Sequence, residues 1–324
     1  MRKFTLCGLL LTAALALGLA AQAQAQEQEY PAKPVRIIVP YPPGGANDVL
    51  ARMIGVRLSA RWGQPVLVEN RAGAGGTVGA EAVFRSPPDG LTLLFMPGPY
   101  VHKSMYPKRN FDPEGLVPLS AAAQANNVLV VNPKVPAQTL PELIAYAKAN
   151  PDKLNYASQG IASNAHLTGE MFKGMAGVKI VHVPYKGLAP ALTDLVAGQV
   201  DMAFFSLGQS LPHIRSGKLR ALAISSEKRS TLLPDLPTVS ETVPGFISTN
   251  WFGMFAPPGT PPAIANKISA ATHEALHTPE IASWLSSTNA YVAVGGTPAE
   301  TAQFIRQDNE RWIKVIKATG ITAE

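Results

Sequence analysis

Cysteine is nearly absent: the 324-residue chain has one, Cys7, inside an N-terminal apolar run. A chain that loses that run has no thiol at all, which excludes disulfides, thiol catalysis and cysteine-ligated metal together. Single-sign charge is also sparse. The formal charge is +6, two of its cations are Arg2 and Lys3, and the rest of the chain has 26 cations against 22 acids. No block of five like charges and no basic run with interleaved aromatics occurs, so no nucleic-acid partner is expected. Catalytic signatures are missing as well. There is no His-Glu-x-x-His, and Gly208-Gln209-Ser210-Leu211-Pro212 fails the nucleophile-elbow pattern. The one long apolar run, Phe4 to Ala20, is shorter than the ~20 residues a membrane span needs.

That run follows two cations and leads into Ala21-Gln22-Ala23 and Ala23-Gln24-Ala25, the form of a secretory signal. Residues 1–25 are expected to be cleaved after Ala25, placing the mature chain in the periplasm. Export without disulfides suits a protein large enough to rely on its core. The remaining length exceeds what one core usually serves, so two domains are expected.

VRIIVP (35–40) reads as a strand buried in a parallel sheet. YPPGGAND breaks it, and a helix follows with apolar residues at 49, 50, 53, 54 and 58. PVLVEN, the glycine loop RAGAGG and TVGAEAVFRS repeat that plan. NVLVVNP starts a second series: KLNYAS, the loop QGIASNAH and a helix, then KIVHVPY and a helix from APALTDL. Such alternation argues for two α/β lobes with mainly parallel sheets, whose ligands bind beyond the carboxyl ends of the strands.

"VENRAGAGGTVGAE" imitates a dinucleotide fingerprint, but its glycine spacing is wrong and no acid ends the next strand at Met96-Pro97-Gly98-Pro99. Other loops fit an anion better. Gly44 and Gly45 strip side chains from a turn where Asn47 or Asp48 can cap a helix, and Ser158, Gly160, Ala162, Ser163 and Asn164 repeat the plan. VPYKGLAP is a third instance. Helix N-termini from two lobes make a site for an anion held between them. His166 and Glu170, four apart on one helix face, can share a metal only with further ligands that the sequence does not name. Lys186 is read as a carboxylate partner or a solvated turn lysine, and Asp201 as a loop-orienting acid, a receiver of a ligand's ammonium or a turn cap.

YPAKPVRIIVPYPPGGANDVLAR, VENRAGAGGTVGAE, PPDGLTL, LNYASQGIASNAHLTGEMF, HVPYKGLAPALTDLVAGQVD, LPDLPTVSE and WFGMFAPPGTP together give a resemblance. From Tyr30 to Ile321 the chain resembles the periplasmic substrate-binding receptors of tripartite tricarboxylate transporters, the Bug receptors. The resemblance implies a two-lobe flytrap fold, type II, with lobe 1 at 26–125 and 250–324 and lobe 2 at 126–249. It implies a small carboxylate ligand held by backbone amides, hydroxyls and water, with no cofactor and no catalysis. Its first-lobe clamp falls on Gly44, Gly45, Ala46 and Asp48, with Ala74 and Gly75. Its second-lobe clamp falls on Ser158, Gly160, Ala162, Ser163 and His166, with Tyr185, Gly187 and Asp201 nearby. Transporter subunits or a sensor kinase are the implied partners of a monomer.

Ile161-Ala162 adds bulk where the family often has Ser-x-Gly-x-Gly. Met96, Pro97, Pro99, Tyr100, Phe204, Phe205 and Trp251 read either as an apolar wall, favouring a monocarboxylate with an apolar or aromatic body over citrate, or, for the aromatics, as core, the commoner fate of such residues. The rival readings are a secreted hydrolase or isomerase using His166 with Asp201 or Glu170, and a ligand sensor uncoupled from transport.

Overall fold

The computed structural model describes residues 30–73, 76–98, 111–161, 163–288 and 291–321. Ala74, Gly75, Pro99, Tyr100 and Ala162, and the proposed signal, lie outside the described residues. The strands are β1 (Val35–Val39), β2 (Val66–Asn70), β3 (Thr92–Pro97), β4 (Val117–Val131), β5 (Asn155–Ser158), β6 (Val181–Pro184), β7 (Met202–Ser206), β8 (Arg220–Ile224), β9 (Thr249–Ala256) and β10 (Tyr291–Gly295). The helices are α1 (Ala46–Trp62), α2 (Thr77–Phe84), α3 (Leu140–Ala149), α4 (Asn164–Ala176), α5 (Leu188–Ala197), α6 (Leu207–Arg215), α7 (Pro262–Leu276), α8 (Pro279–Ser283) and α9 (Pro298–Thr319).

Local chemistry sets these boundaries. In β1 every residue but Arg36 is buried, as expected of a strand covered on both faces. Helix α1 buries Leu50, Ile54 and Leu58 on one stripe and stops at Gly63, whose left-handed φ of 63° lets its N–H reach Ser59 O. Helix α9 opens with a reciprocal cap between Thr297 and Glu300 and has Pro298 in its first turn.

The strands run in the order β2-β1-β3-β9-β4-β7-β5-β6, with β8 and β10 also pairing with β4. The parallel pairing read from sequence holds for β2-β1-β3 in the first lobe and β6-β5-β7 in the second. Strands β9 and β4 join antiparallel, because they carry the chain between lobes. β4 serves both sheets: Val117 to Asn126 face β9, and Asn127 to Val131 face β7. The sheets are therefore mixed, and four apolar clusters cover the two faces of each.

This register decides where ligand loops point. In β3, Pro97 faces Phe252 and Leu94 faces Phe255, so the carboxyl end of β3 is directed toward the crossing end of β9 at Thr249. In β7, Ser206 faces Asn127 and Met202 faces Val131, so its carboxyl end also meets the crossing. Strands β1 and β2 follow β3, while β5 and β6 follow β7. The loops that follow parallel strands in both lobes are therefore aimed at one interlobe cleft.

Helix α9 supplies a third crossing. Phe304 and Ile305 pack against a first-lobe cluster, whereas Trp312, Val315, Ile316 and Ile321 lie in a second-lobe cluster. Residues 312–321, counted with lobe 1 by sequence, thus contribute to the core of lobe 2. The expected apolar wall is also core: Met96 and Trp251 belong to one first-lobe cluster, and Phe204 and Phe205 to opposite faces of the second-lobe sheet. A run of apolar residues in a strand covered on both faces has no period that separates wall from core.

At the strand crossing, polar groups knit both lobes to α4. Asn127 Nδ2 donates to Asn164 Oδ1 at 2.6 Å, and Asn164 Nδ2 donates to Thr249 O at 3.2 Å. Ser225 N donates to Asn127 O, and Ser248 N to Ser225 O, both at 2.8 Å. Asn127→Ala leaves Asn164 Oδ1 buried without its donor, so urea denaturation should show a loss of about 1–3 kcal/mol. An unchanged midpoint would show that the network adds nothing to stability.

Candidate functional site

The first-lobe loop lies between β1 and α1. Gly45 is the N-cap of α1, no side chain caps the helix, and Cβ atoms added at Gly44 or Gly45 would meet nothing within 4 Å. The first N–H groups of this 17-residue helix therefore have no side-chain cap and follow two residues without side chains. Gly44 has a φ of 92°, a backbone shape that only glycine adopts at low cost.

Asp48 maintains this shape from behind. Its carboxylate accepts from Gly44 N at 2.9 Å, from Arg52 Nε at 3.1 Å and from Asn70 Nδ2 at 2.9 Å. Arg52 Nη2 lies 2.9 Å from the other oxygen and also donates to Asn70 Oδ1 at 2.8 Å. Burial raises the Asp48 pKa, but hydrogen bonds from Arg52, Gly44 and Asn70 and the guanidinium charge outweigh it, holding the carboxyl below its ordinary 3.8. Asp48 is thus a brace whose oxygens are occupied within the protein. Neither Arg52 nor Asn70 was singled out from the sequence; the spacing of four along the helix is the signal that could have found Arg52, and nothing local points to Asn70.

The second-lobe loops follow β5 and β6. Tyr185 N donates to Ser158 O at 3.0 Å and Gly187 N to Gln159 O at 3.2 Å, so backbone bonds zip the two loops together. Ser163 caps α4 by accepting from His166 N at 3.3 Å. Gly187 begins α5, with no side-chain cap and open space around it. The Ser158 side chain is fully buried and lies 2.7 Å from His182 Nε2. His182 stacks on His166, ring centroids 3.9 Å apart at 9°, and His182 was not singled out from sequence.

Burial keeps both histidines neutral. It lowers His166 below its ordinary 6.5, Glu170 opposing and Lys173 assisting, and lowers His182 to about 4 with the help of His166. Glu170 accepts from Tyr156 OH at 2.8 Å and pairs with Lys173 at 2.7 Å. Among the described residues no group of three or more side chains is arranged to hold a metal. Tyr185 OH donates to Asp194 at 2.8 Å; burial and then Asp194 push its pKa up to about 12.

Asp201 is not brought into this assembly. It accepts from Asn155 N at 2.8 Å at the amino end of β5, while Ser158 stands at the carboxyl end. Gly44, Gly45, Ala46, Gly160, Ser163, His166, Tyr185 and Gly187 are placed on or beside the cleft loops, and Asp48 and Ser158 behind them. Lys186 is exposed.

Both lobes therefore present uncapped or singly capped helix starts across a cleft spanned by two strands and a helix. This is the two-lobe design of periplasmic binding proteins. Residues 50–321 match the tripartite tricarboxylate transporter family receptor, and the chain belongs to that family. It is 40% identical over 296 residues to protein BugT of Bordetella pertussis, covering 90% of each chain. Among solved structures it is similar to Rpa4515 of R. palustris with adipate: TM-score 0.79, 34% identity, 90% of this chain and 99% of that one. MatC of Rhodopseudomonas palustris with bound malate gives a TM-score of 0.76 at 31% identity, over 89% of this chain and 100% of that one.

Because the unfolded chain binds protons to His182 and His166 more readily, stability should be complete above about pH 6.5 and be lost as pH falls toward 4. Asp48, with its depressed pKa, loses its contribution only below 3.8. Thermal unfolding between pH 7.5 and 4.5 should show a fall in melting temperature that is smaller in His182→Gln. Equal falls in both proteins would mean that His182 is not held neutral by the fold.

Proposed function

We propose that this chain is a periplasmic solute-binding receptor that captures a small carboxylate between its lobes and delivers it to a tripartite tricarboxylate-type transporter. The observation that carries the reading is the bare start of α1, where an uncapped helix meets the cleft behind two glycines with open space in front. A carboxylate placed there meets oriented N–H groups and the positive end of the helix. The second lobe answers with the Gly160 to Ser163 turn and the starts of α4 and α5. Ala74, Gly75 and Ala162 complete the proposed contact set, and Asp48 and Ser158 shape it from behind. In this reading lobe 1 comprises 26–125 and 250–324, with the end of α9 docked in lobe 2, and lobe 2 comprises 126–249. Residues 1–25 are its export signal, and it acts as a monomer.

The ligand class is a carboxylate with an apolar body. Ile161, 61% exposed in the second-lobe loop, supplies apolar surface that a compact polar acid does not use. The preference for a monocarboxylate loses its aromatic basis with the burial of Phe204, Phe205 and Trp251, so chain length and carboxylate number are left to measurement. Relatives with adipate and malate make those acids the natural first probes.

Residues 26–324, unfolded and refolded to remove carried ligand, should gain about 2.7 kcal/mol from a cognate acid at 100 times its Kd. Adipate, malate and benzoate form the panel, with a nucleotide as control. Gly45→Val has room in the fold yet fills the mouth of α1, so it should weaken binding at least tenfold, about 1.4 kcal/mol, in calorimetry with little change in ligand-free melting temperature. Unchanged affinity in that variant would remove the first-lobe clamp from the reading, and turnover of the bound acid would favour the hydrolase.

A further inference from the structure

Ser158 is a hub with a closed hydrogen-bond account. Its Oγ lies 2.7 Å from His182 Nε2, 3.1 Å from Gly160 N and 3.0 Å from Gly160 O. A serine hydroxyl has one proton and two lone pairs. Gly160 N–H takes one lone pair. If His182 carries its proton on Nε2, it donates to the second, and the hydroxyl proton goes to Gly160 O. All three contacts are then satisfied. If His182 carries the proton on Nδ1, the hydroxyl must turn to Nε2 and Gly160 O keeps only the Ser163 N–H, 3.2 Å away, as donor. Only the Nε2–H form serves every contact at once.

The loop held this way is under constraint. Gly160 has a φ of 129°, and a Cβ there would lie 3.2 Å from Tyr185 O. His182 belongs to β6, where it faces Tyr156 of β5 and not the loop itself, yet it reaches both parts of the second-lobe clamp. It bonds Ser158 and stacks on His166 in the first turn of α4, with Tyr156 stacked 4.9 Å away. The charged groups that act on it, Glu170 and Lys173, lie on α4 and pair with each other.

Resting on the carboxylate-clamp reading, we propose that His182 is a positioning residue of that clamp: by donating from Nε2 to Ser158 it fixes the serine hydroxyl on Gly160 and holds the Ser158–Gly160 backbone in its ligand-receiving shape. It touches no ligand. The full use of Ser158 inside the loop also moves that serine from ligand contact to scaffold.

His182→Phe keeps a ring to stack on His166 and removes the donor; His182→Gln restores an N–H near the Nε2 position. With adipate as probe, or whichever panel acid binds the wild type, calorimetry should show about a tenfold loss for His182→Phe and return to within about threefold for His182→Gln. Ser158→Ala should lose a similar factor, and the double variant Ser158→Ala/His182→Phe no more than either alone, since both break one link. A packing role alone does not produce rescue by glutamine together with that lack of additivity. Wild-type affinity in His182→Phe, or losses that multiply in the double variant, would overturn the proposal while leaving the clamp reading intact. A wild type that binds no acid of the panel overturns both. If His182→Phe does not fold, His182→Met, which also removes the donor, takes its place in the same cycle with Ser158→Ala, and losses that multiply there overturn the proposal.

Discussion

A strand that leaves one sheet for another must carry its backbone polar groups through a gap where neither sheet pairs them. Buried and unpaired, each would cost on the order of 1–3 kcal/mol. Here the gap falls between Asn126 and Asn127 of β4 and beside Ser248 on the way into β9. Ser225, Ser248, Asn127 and Asn164, all buried, fill it with mutual hydrogen bonds. This solution fixes the direction of both strands, and their direction aims the carboxyl ends of all the parallel strands at each other. Cleft, opposed helix starts and glycine loops follow from a crossing that has to be hydrogen-bonded.

The same economy separates residues that shape the cleft from those that face it. Side chains with strong hydrogen-bonding capacity, Asp48 and Ser158, are spent inward, each holding a glycine backbone. Gly44 and Gly160 need that support because their left-handed φ values are not imposed by repeating secondary structure. What the two glycine turns themselves offer is main chain. Main-chain N–H groups cannot change protonation state or rotamer, so under the proposed function they would receive an anion with little reorganisation.

The helix starts were legible from the amino-acid order because both ingredients are local. VRIIVP followed by glycines and an amphipathic run specifies strand, turn and helix within a few residues, and Ser163 caps α4 as its position suggests. Which polar atoms point at a ligand was not local. Asp48 is turned inward by Asn70, 22 residues away, and Ser158 by His182, 24 residues away. Asp201 looked like part of the same loop system, yet it stands at the opposite end of β5, because a strand reverses which end of the sheet its flanking residues occupy. The aromatic pair Phe204-Phe205 points to both faces of a covered sheet, and so neither residue is wall.

Helix α9 adds a constraint on how the lobes move. Asp308, buried, accepts from Trp251 Nε1 at 2.8 Å, with Arg311 at 3.5 Å from its other oxygen. Burial, opposed by Trp251 and Arg311, raises its carboxyl pKa above the ordinary value. Trp251 lies in a first-lobe core, and Trp312, one turn beyond Asp308, in a second-lobe core. Detaching α9 from either lobe would strand a buried carboxylate or open an aromatic core, at a cost of several kcal/mol. A small rotation about the polar crossing would strain the hydrogen bonds among Asn127, Asn164, Ser225 and Ser248 without opening an aromatic core. The pivot with the lower cost is therefore the crossing, with α9 bending as one strut of it. Under the proposed function, closure on a ligand would draw on the difference in ligand contacts between open and closed lobes and not on breaking the helix from its seat.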